Sequence, residues 1–61
     1  MNLGQILEYI KYSDVAVIDN ETQQVIARYD GRNSIDVELN SLEVVYIFGA
    51  NDAIQIVVNV Q

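Results

Sequence analysis

The stretch Val44-Val45-Tyr46-Ile47-Phe48-Gly49-Ala50-Asn51-Asp52-Ala53-Ile54-Gln55-Ile56-Val57-Val58-Asn59-Val60 decides the fold. It holds two runs rich in β-branched and aromatic residues, the composition that suits a pleated, half-buried strand. Between them, Gly49-Ala50-Asn51-Asp52 supplies hairpin-loop chemistry, because Gly, Asn and Asp tolerate the backbone angles of a tight reversal. The expected elements are a third strand over residues 44–48 and a fourth over 53–60. In the fourth, Ile54, Ile56, Val58 and Val60 share one face, while Gln55, Asn59 and Gln61 mark the other. The third strand is apolar on both faces, and Val57 adds an apolar residue to the second face of the fourth. Such a sheet is either covered twice or meets another chain with its second face. Val44, Tyr46 and Val57 are therefore candidates for self-association into a homodimer through the sheet. Tyr9, Tyr12 and Tyr29 would line the same patch with Tyr46, since Tyr joins an apolar body to a polar tip.

Working back towards the amino terminus, Val15–Asp19 and Val25–Tyr29 read as two short strands joined by the polar Asn20-Glu21-Thr22-Gln23-Gln24. A short polar connection of this kind predicts an antiparallel hairpin. Asp30-Gly31 is a turn signal. In residues 32–42, Ile35, Val37 and Leu39 alternate with Asp36 and Glu38, which suggests an extended segment; Asn40-Ser41 would close a turn or open a brief helical one. Residues 2–12 read as a helix, with Leu3, Ile6, Leu7 and Ile10 on one stripe. Asn2 is placed to cap it, with Gln5 three residues on as in a capping box. Lys11 near its end suits the helix dipole. Gly4 weakens the helix by up to about 1 kcal/mol.

The expectation is one α+β domain over residues 1–61. Its N-terminal helix packs on a four-stranded, mainly antiparallel sheet made of two hairpins. The helix stripe is expected to cover Val15 or Ala16, Ile26, Ile47 and the even-numbered face of the last strand.

The chain has 61 residues, 51% of them hydrophobic, with neither Cys nor His. Disulfides, thiolate sites and imidazole sites are thus excluded together. A core of this size supplies roughly 3–5 kcal/mol. Nine acidic residues stand against three basic ones, for a formal net charge of -6. Phosphates would repel such a chain, so direct nucleic-acid or anionic-membrane binding is not expected, and a basic protein surface is the favoured partner. The sequence shows neither a signal-peptide pattern nor a run of about 20 apolar residues, which points to a cytoplasmic protein.

Little here could support catalysis. Ser13, Ser34, Ser41 and Thr22 have no His to activate them, and Lys11 is the only lysine. A domain this small has little room for a cleft that desolvates a carboxylate pair. The chain is expected to bind rather than catalyse, with no cofactor and no metal. Asp30-Gly31-Arg32-Asn33-Ser34 departs from a calcium loop, with Arg32 in the third position and the glycine misplaced. Asp19-Asn20-Glu21 reads as a solvated loop. Lys11, Arg28 and Arg32 form no basic patch.

The acidic residues carry the remaining signal. Asp30, Asp36, Glu38 and Glu43 fall in one stretch, with Asp14, Asp19 and Glu21 at the ends of the first hairpin. In an extended segment Asp36 and Glu38 would point to the same side, about 6.5–7 Å apart. A row of carboxylates so spaced could imitate a run of phosphates before a basic groove.

Leu7-Glu8-Tyr9-Ile10-Lys11-Tyr12-Ser13-Asp14-Val15-Ala16-Val17-Ile18-Asp19, followed by Ile26-Ala27-Arg28-Tyr29-Asp30-Gly31, resembles small acidic proteins of phages and mobile elements from Gram-positive bacteria. The resemblance is one of style and covers most of the chain. Some proteins of that kind are anti-CRISPR proteins, which block a Cas nuclease by occupying its nucleic-acid or PAM-reading surface. The resemblance implies an inhibitor of a nucleic-acid-handling protein, acting in the host cytosol. PAM readers present arginines, and carboxylates would pair with them. The first residues for that role are Asp30, Asp36, Glu38 and Glu43, and the second are Asp14, Asp19 and Glu21.

Overall fold

A computed structural model describes residues 1–30 and 35–60 of the chain. Helix α1 is Leu3–Leu7, and strands β1 and β2 are Val15–Asp19 and Val25–Tyr29. A 3-10 helix, η1, spans Val37–Ser41, and strands β3 and β4 are Glu43–Ala50 and Ala53–Asn59. The turn expected at Asp30-Gly31 and the start of the 32–42 segment fall partly outside the described residues.

The strands form one sheet in the order β2-β1-β4-β3. Both expected hairpins are present, with β1 antiparallel to β2 and β3 antiparallel to β4. Where they join, β1 and β4 run parallel, from Val15 opposite Ile54 to Asp19 opposite Val58. The sheet is therefore mixed rather than mainly antiparallel. Hairpins are set by local turns, whereas the junction depends on a crossover through β2, η1 and β3 that no short stretch encodes.

The helix is much shorter than residues 2–12. Its capping box forms as expected: Gln5 N donates to Asn2 Oδ1 and Asn2 N to Gln5 Oε1, each at 2.9 Å. Past Leu7 the bonds tighten, with Tyr9 N donating to Ile6 O and Ile10 N to Leu7 O. At Tyr12 φ reaches 60°, which turns the chain towards β1. Five residues are too few for a helix to stand on propensity, so packing sets where this one ends. Leu3 and Leu7 are buried, and Ile6 and Ile10 rest against the same cluster.

That cluster is the core. Leu3 and Leu7 meet Val15, Val17, Ile56 and Val58, with Leu39 and Leu42 closing in from η1 and its flank. The even-numbered face of β4 is covered, as expected. Val15, one of the two expected alternatives, is covered too; for the other strands the register differs from expectation. Val15, Ala27 and Val44 pack under the helices, whereas Ala16 and Ile26 do not; Ile47, opposite Ile56, stays half-exposed beyond their reach. Gly4 also has a packing role: a Cβ there would lie 3.0 Å from Asn40 Cβ, so the glycine lets α1 sit close on η1.

Residues 37–41 are helical, not extended. The apolar residues of 35–42 still serve the core, since Ile35, Leu39 and Leu42 pack on it. Spacing of Leu39 and Leu42 by three suits a 3-10 turn, in which i and i+3 stack. Val37, which the alternating pattern would have buried, is 82% exposed.

Candidate functional site

Paired residues of neighbouring strands project to the same face, and both helices lie on one face. The other carries Ala16 and Ile18 of β1, Gln55 and Val57 of β4, and Tyr46 and Phe48 of β3. Two β-bulges add to it. Between Val17 and Ile18 the register slips, so that Val25 faces Ile18 and Ile26 is the extra residue. Between Val44 and Tyr46 it slips again, with Val45 the extra residue. A bulge bends its strand and resets the alternation of side chains.

Exposure divides this face into a closed centre and an open flank. Ala16 and Val57 are buried, and Gln55 is nearly so, its Nε2 donating to Ala50 O at 3.1 Å. On the flank, Val45, Tyr46 and Phe48 keep 43–47% of their surface, and the Tyr46 and Phe48 rings lie 5.9 Å apart. Val25 and Ile26 are similarly exposed across the sheet.

Of the three residues expected to mediate self-association, Tyr46 lies on this surface. Val57 is on the correct face but fully buried. Val44 projects to the helix side and packs on the core. The bulge is the reason: unbroken alternation would keep Val44 and Tyr46 together, and the slip between them sends them apart. The tyrosine patch does not assemble either. Tyr29 packs on the helix side, while Tyr9 and Tyr12 are exposed on the connection into β1. Val45, Phe48, Val25 and Ile26 are the residues that the alternation rule missed. Their signal was the continuous apolarity of 44–48 together with two valines or isoleucines in sequence at 25–26.

The acidic stretch from Asp30 to Glu43 is not one row. Asp36 is the cap residue of η1 without a side-chain cap bond, and Glu38 sits in its first turn, so the extended pair does not form. Asp30 follows β2 beside Asp14, because Tyr29 pairs with Val15. Glu43 lies at the far end of the sheet, opposite Asn59. The carboxylates instead gather by sheet end. Asp14, Asp30 and Asp52 flank the ends of three successive strands, on the side where β1 and β4 begin. Asp19, Glu21 and Glu43 occupy the other. Asp19 has a structural use there: Oδ1 accepts from Glu21 N at 2.8 Å, and its carbonyl accepts from Gln23 N at 2.8 Å. Those bonds hold the β1–β2 loop, in which Gln23 has a φ of 62°.

Among the described residues no three acidic side chains converge closely enough to hold a metal ion. Among the same residues no helix is long and apolar enough to cross a membrane. A comparison with protein-family models gives no match, and comparisons with curated proteins and with solved structures give none either.

Proposed function

We propose that the chain is a protein-binding domain, not an enzyme, and that it holds its partner on the open flank of the sheet. One observation carries this reading: Val45, Tyr46 and Phe48 are exposed together on the face opposite both helices. Apolar residues in a contiguous patch mark interaction surfaces, and aromatic side chains are enriched at the centres of interfaces. Carboxylates at both ends of the sheet surround that patch, so its complement has an apolar centre and a basic rim. Within this reading the chain acts as an inhibitor of a nucleic-acid-handling protein, as its resemblance to anti-CRISPR proteins implies. Asp14, Asp30 and Asp52, at the ends of neighbouring strands, are the carboxylates offered to arginines in such a groove.

The test is capture from a bacterial lysate on immobilised chain, with a Tyr46→Ser/Phe48→Ser double variant beside it. A basic protein retained by the parent, released as salt rises and not retained by the variant supports the reading. Equal capture by the variant removes the open flank from it. Self-association is the second reading, favoured by the same apolar flank; light scattering at high concentration decides it, since a monomer there rules it out.

A further inference from the structure

Strand β3 is an edge of the sheet. Its start is covered. Val44 N donates to Met1 O at 3.0 Å, Leu3 N donates to Leu42 O at 2.9 Å, and Asn2 bridges antiparallel to Glu43. The Val44 bond fixes the phase of the strand, because it shows that the backbone of Val44 faces outward. The bulge then turns Val45 and Tyr46 towards β4, and regular alternation aims Ile47 and Gly49 outward again. The far end agrees: Ala50 pairs with Ala53 around a two-residue turn, and the pair that closes such a turn faces inward.

Ile47 and Gly49 thus present N–H and C=O groups along the outer side. None of the hydrogen bonds between the sheet and the rest of the described chain uses them. Residues 45–50 also hold no charge and no proline, the features by which natural edges resist pairing. The chain around them is charged. Glu43 stands at one end of the bare stretch and Asp52 at the other, with no basic residue between.

That pattern selects the occupant. In a second copy pairing antiparallel, Ile47 against Gly49, Ala50 of one chain would fall opposite Tyr46 of the other, and the Asn51-Asp52 turn beyond it would come up to the Glu43 end of that edge. Asp52 of one chain would then approach Glu43 of the other. Like charges set opposite one another destabilise a strand pair. A strand bringing positive charge to both ends meets no such conflict.

We infer that β3 accepts an extended segment of another protein as a fifth strand, and that this segment carries Lys or Arg at both ends of an uncharged centre. Backbone groups of Ile47 and Gly49 supply the pairing, and Glu43 and Asp52 select the ends. From Val45 to Ala50 the uncovered edge runs about 17 Å, which sets the uncharged centre of the segment at about five residues, with its end charges reaching towards Glu43 and Asp52. The inference rests on the protein-binding reading above for the class of partner, but it uses the edge of the sheet and not its open flank.

The probe is a synthetic peptide of about seven residues, an alternating Val and Thr centre of about five with Lys at both ends, a length set by strand rise. Two controls accompany it, one with Glu at the ends and one N-methylated on the backbone amides of its pairing side. Hydrogen exchange read by NMR should slow about tenfold or more at the Ile47 and Gly49 amides with the Lys-ended peptide. Neither control should slow it, and added salt should weaken the effect. Gly49→Pro should abolish binding without disturbing the fold, because a Cβ at Gly49 would meet nothing within 4 Å and the N–H removed faces solvent.

Absence of protection at those two amides overturns the inference, as does equal binding by the Glu-ended peptide or by Gly49→Pro. Concentration-dependent protection without peptide also overturns it, by making a second copy the occupant. The two readings fail separately. A captured partner lost with Tyr46→Ser/Phe48→Ser but kept with Gly49→Pro sinks the edge and leaves the open flank; the opposite pattern sinks the flank and leaves the edge.

Discussion

Strands β3 and β4 are comparably apolar and lie side by side, yet they are buried differently. In β4 the run from Gln55 to Val58 is buried on both faces, whereas in β3 both Tyr46 and Ile47, on opposite faces, stay nearly half-exposed. Hydropathy does not separate the two strands; position does. A central strand has its faces shielded by side chains of both neighbours, and an edge strand has one neighbour. The helices deepen the difference, since they cover Val15, Val17, Ile56 and Val58 and stop short of Ile47. Apolar residues thus stand where burial is incomplete, on the flank to which the proposed binding role is assigned.

Two truncations break or confirm this contrast. Ile56→Ala removes a fully buried side chain at the centre of the core and should cost about 2–5 kcal/mol. A domain with roughly 3–5 kcal/mol in total would be largely unfolded by it. Phe48→Ala removes more atoms but should cost less, about 1–2 kcal/mol, because Phe48 keeps 43% of its surface in water. Urea denaturation of both variants measures the difference. Equal losses would mean that the flank of β3 is covered in solution.

A smaller effect is expected where α1 approaches η1. In Gly4→Ala the new methyl would sit 3.0 Å from Asn40 Cβ, a backbone-proximal atom that cannot swing away. The gain in helix propensity of up to about 1 kcal/mol is outweighed by overpacking of about 1–3 kcal/mol. A net loss in the same denaturation assay is the expected outcome, and a net gain would show that α1 is free to shift. The covered face would then be less tightly held than its burial suggests.

Much of this was legible in the sequence, and the remainder was hidden for identifiable reasons. The bounds of β1 and β2, the Asn2–Gln5 box and the covered even-numbered face of β4 follow from spacing over a few residues. Alternation failed where it met the slips at Val17/Ile18 and Val44/Tyr46, which depend on pairing across strands. It failed again at 35–39, where Ile35, Val37 and Leu39 match a strand but Leu39 and Leu42 are stacked by a 3-10 turn. The parallel junction of β1 with β4 joins residues almost forty positions apart, beyond any local signal. For the candidate site, one chemical type was readable and its grouping was not. Asp36 and Glu38, alternating in the sequence, lost their common side to the 3-10 turn, while Asp14, Asp30 and Asp52 fall at one sheet end.

The turn that links the two strands allows the finest test. Asn51 and Asp52 both have positive φ, 54° and 60°, as a two-residue type I′ hairpin demands. Asn tolerates that region well and Asp less so, whereas Gly takes it without steric cost. Asp52→Gly creates the Asn-Gly turn that such hairpins favour and should raise stability by about 0.5–1 kcal/mol, read as a shift of the urea midpoint. It also removes the carboxylate at one end of the bare β3 edge. The Lys-ended peptide should therefore bind this more stable variant more weakly than the parent, with a shallower dependence on salt. Stability and binding moving in opposite directions would show that Asp52 is kept at a strained position for contact and not for the hairpin. If both rise together, the end charges of β3 play no part in choosing its partner.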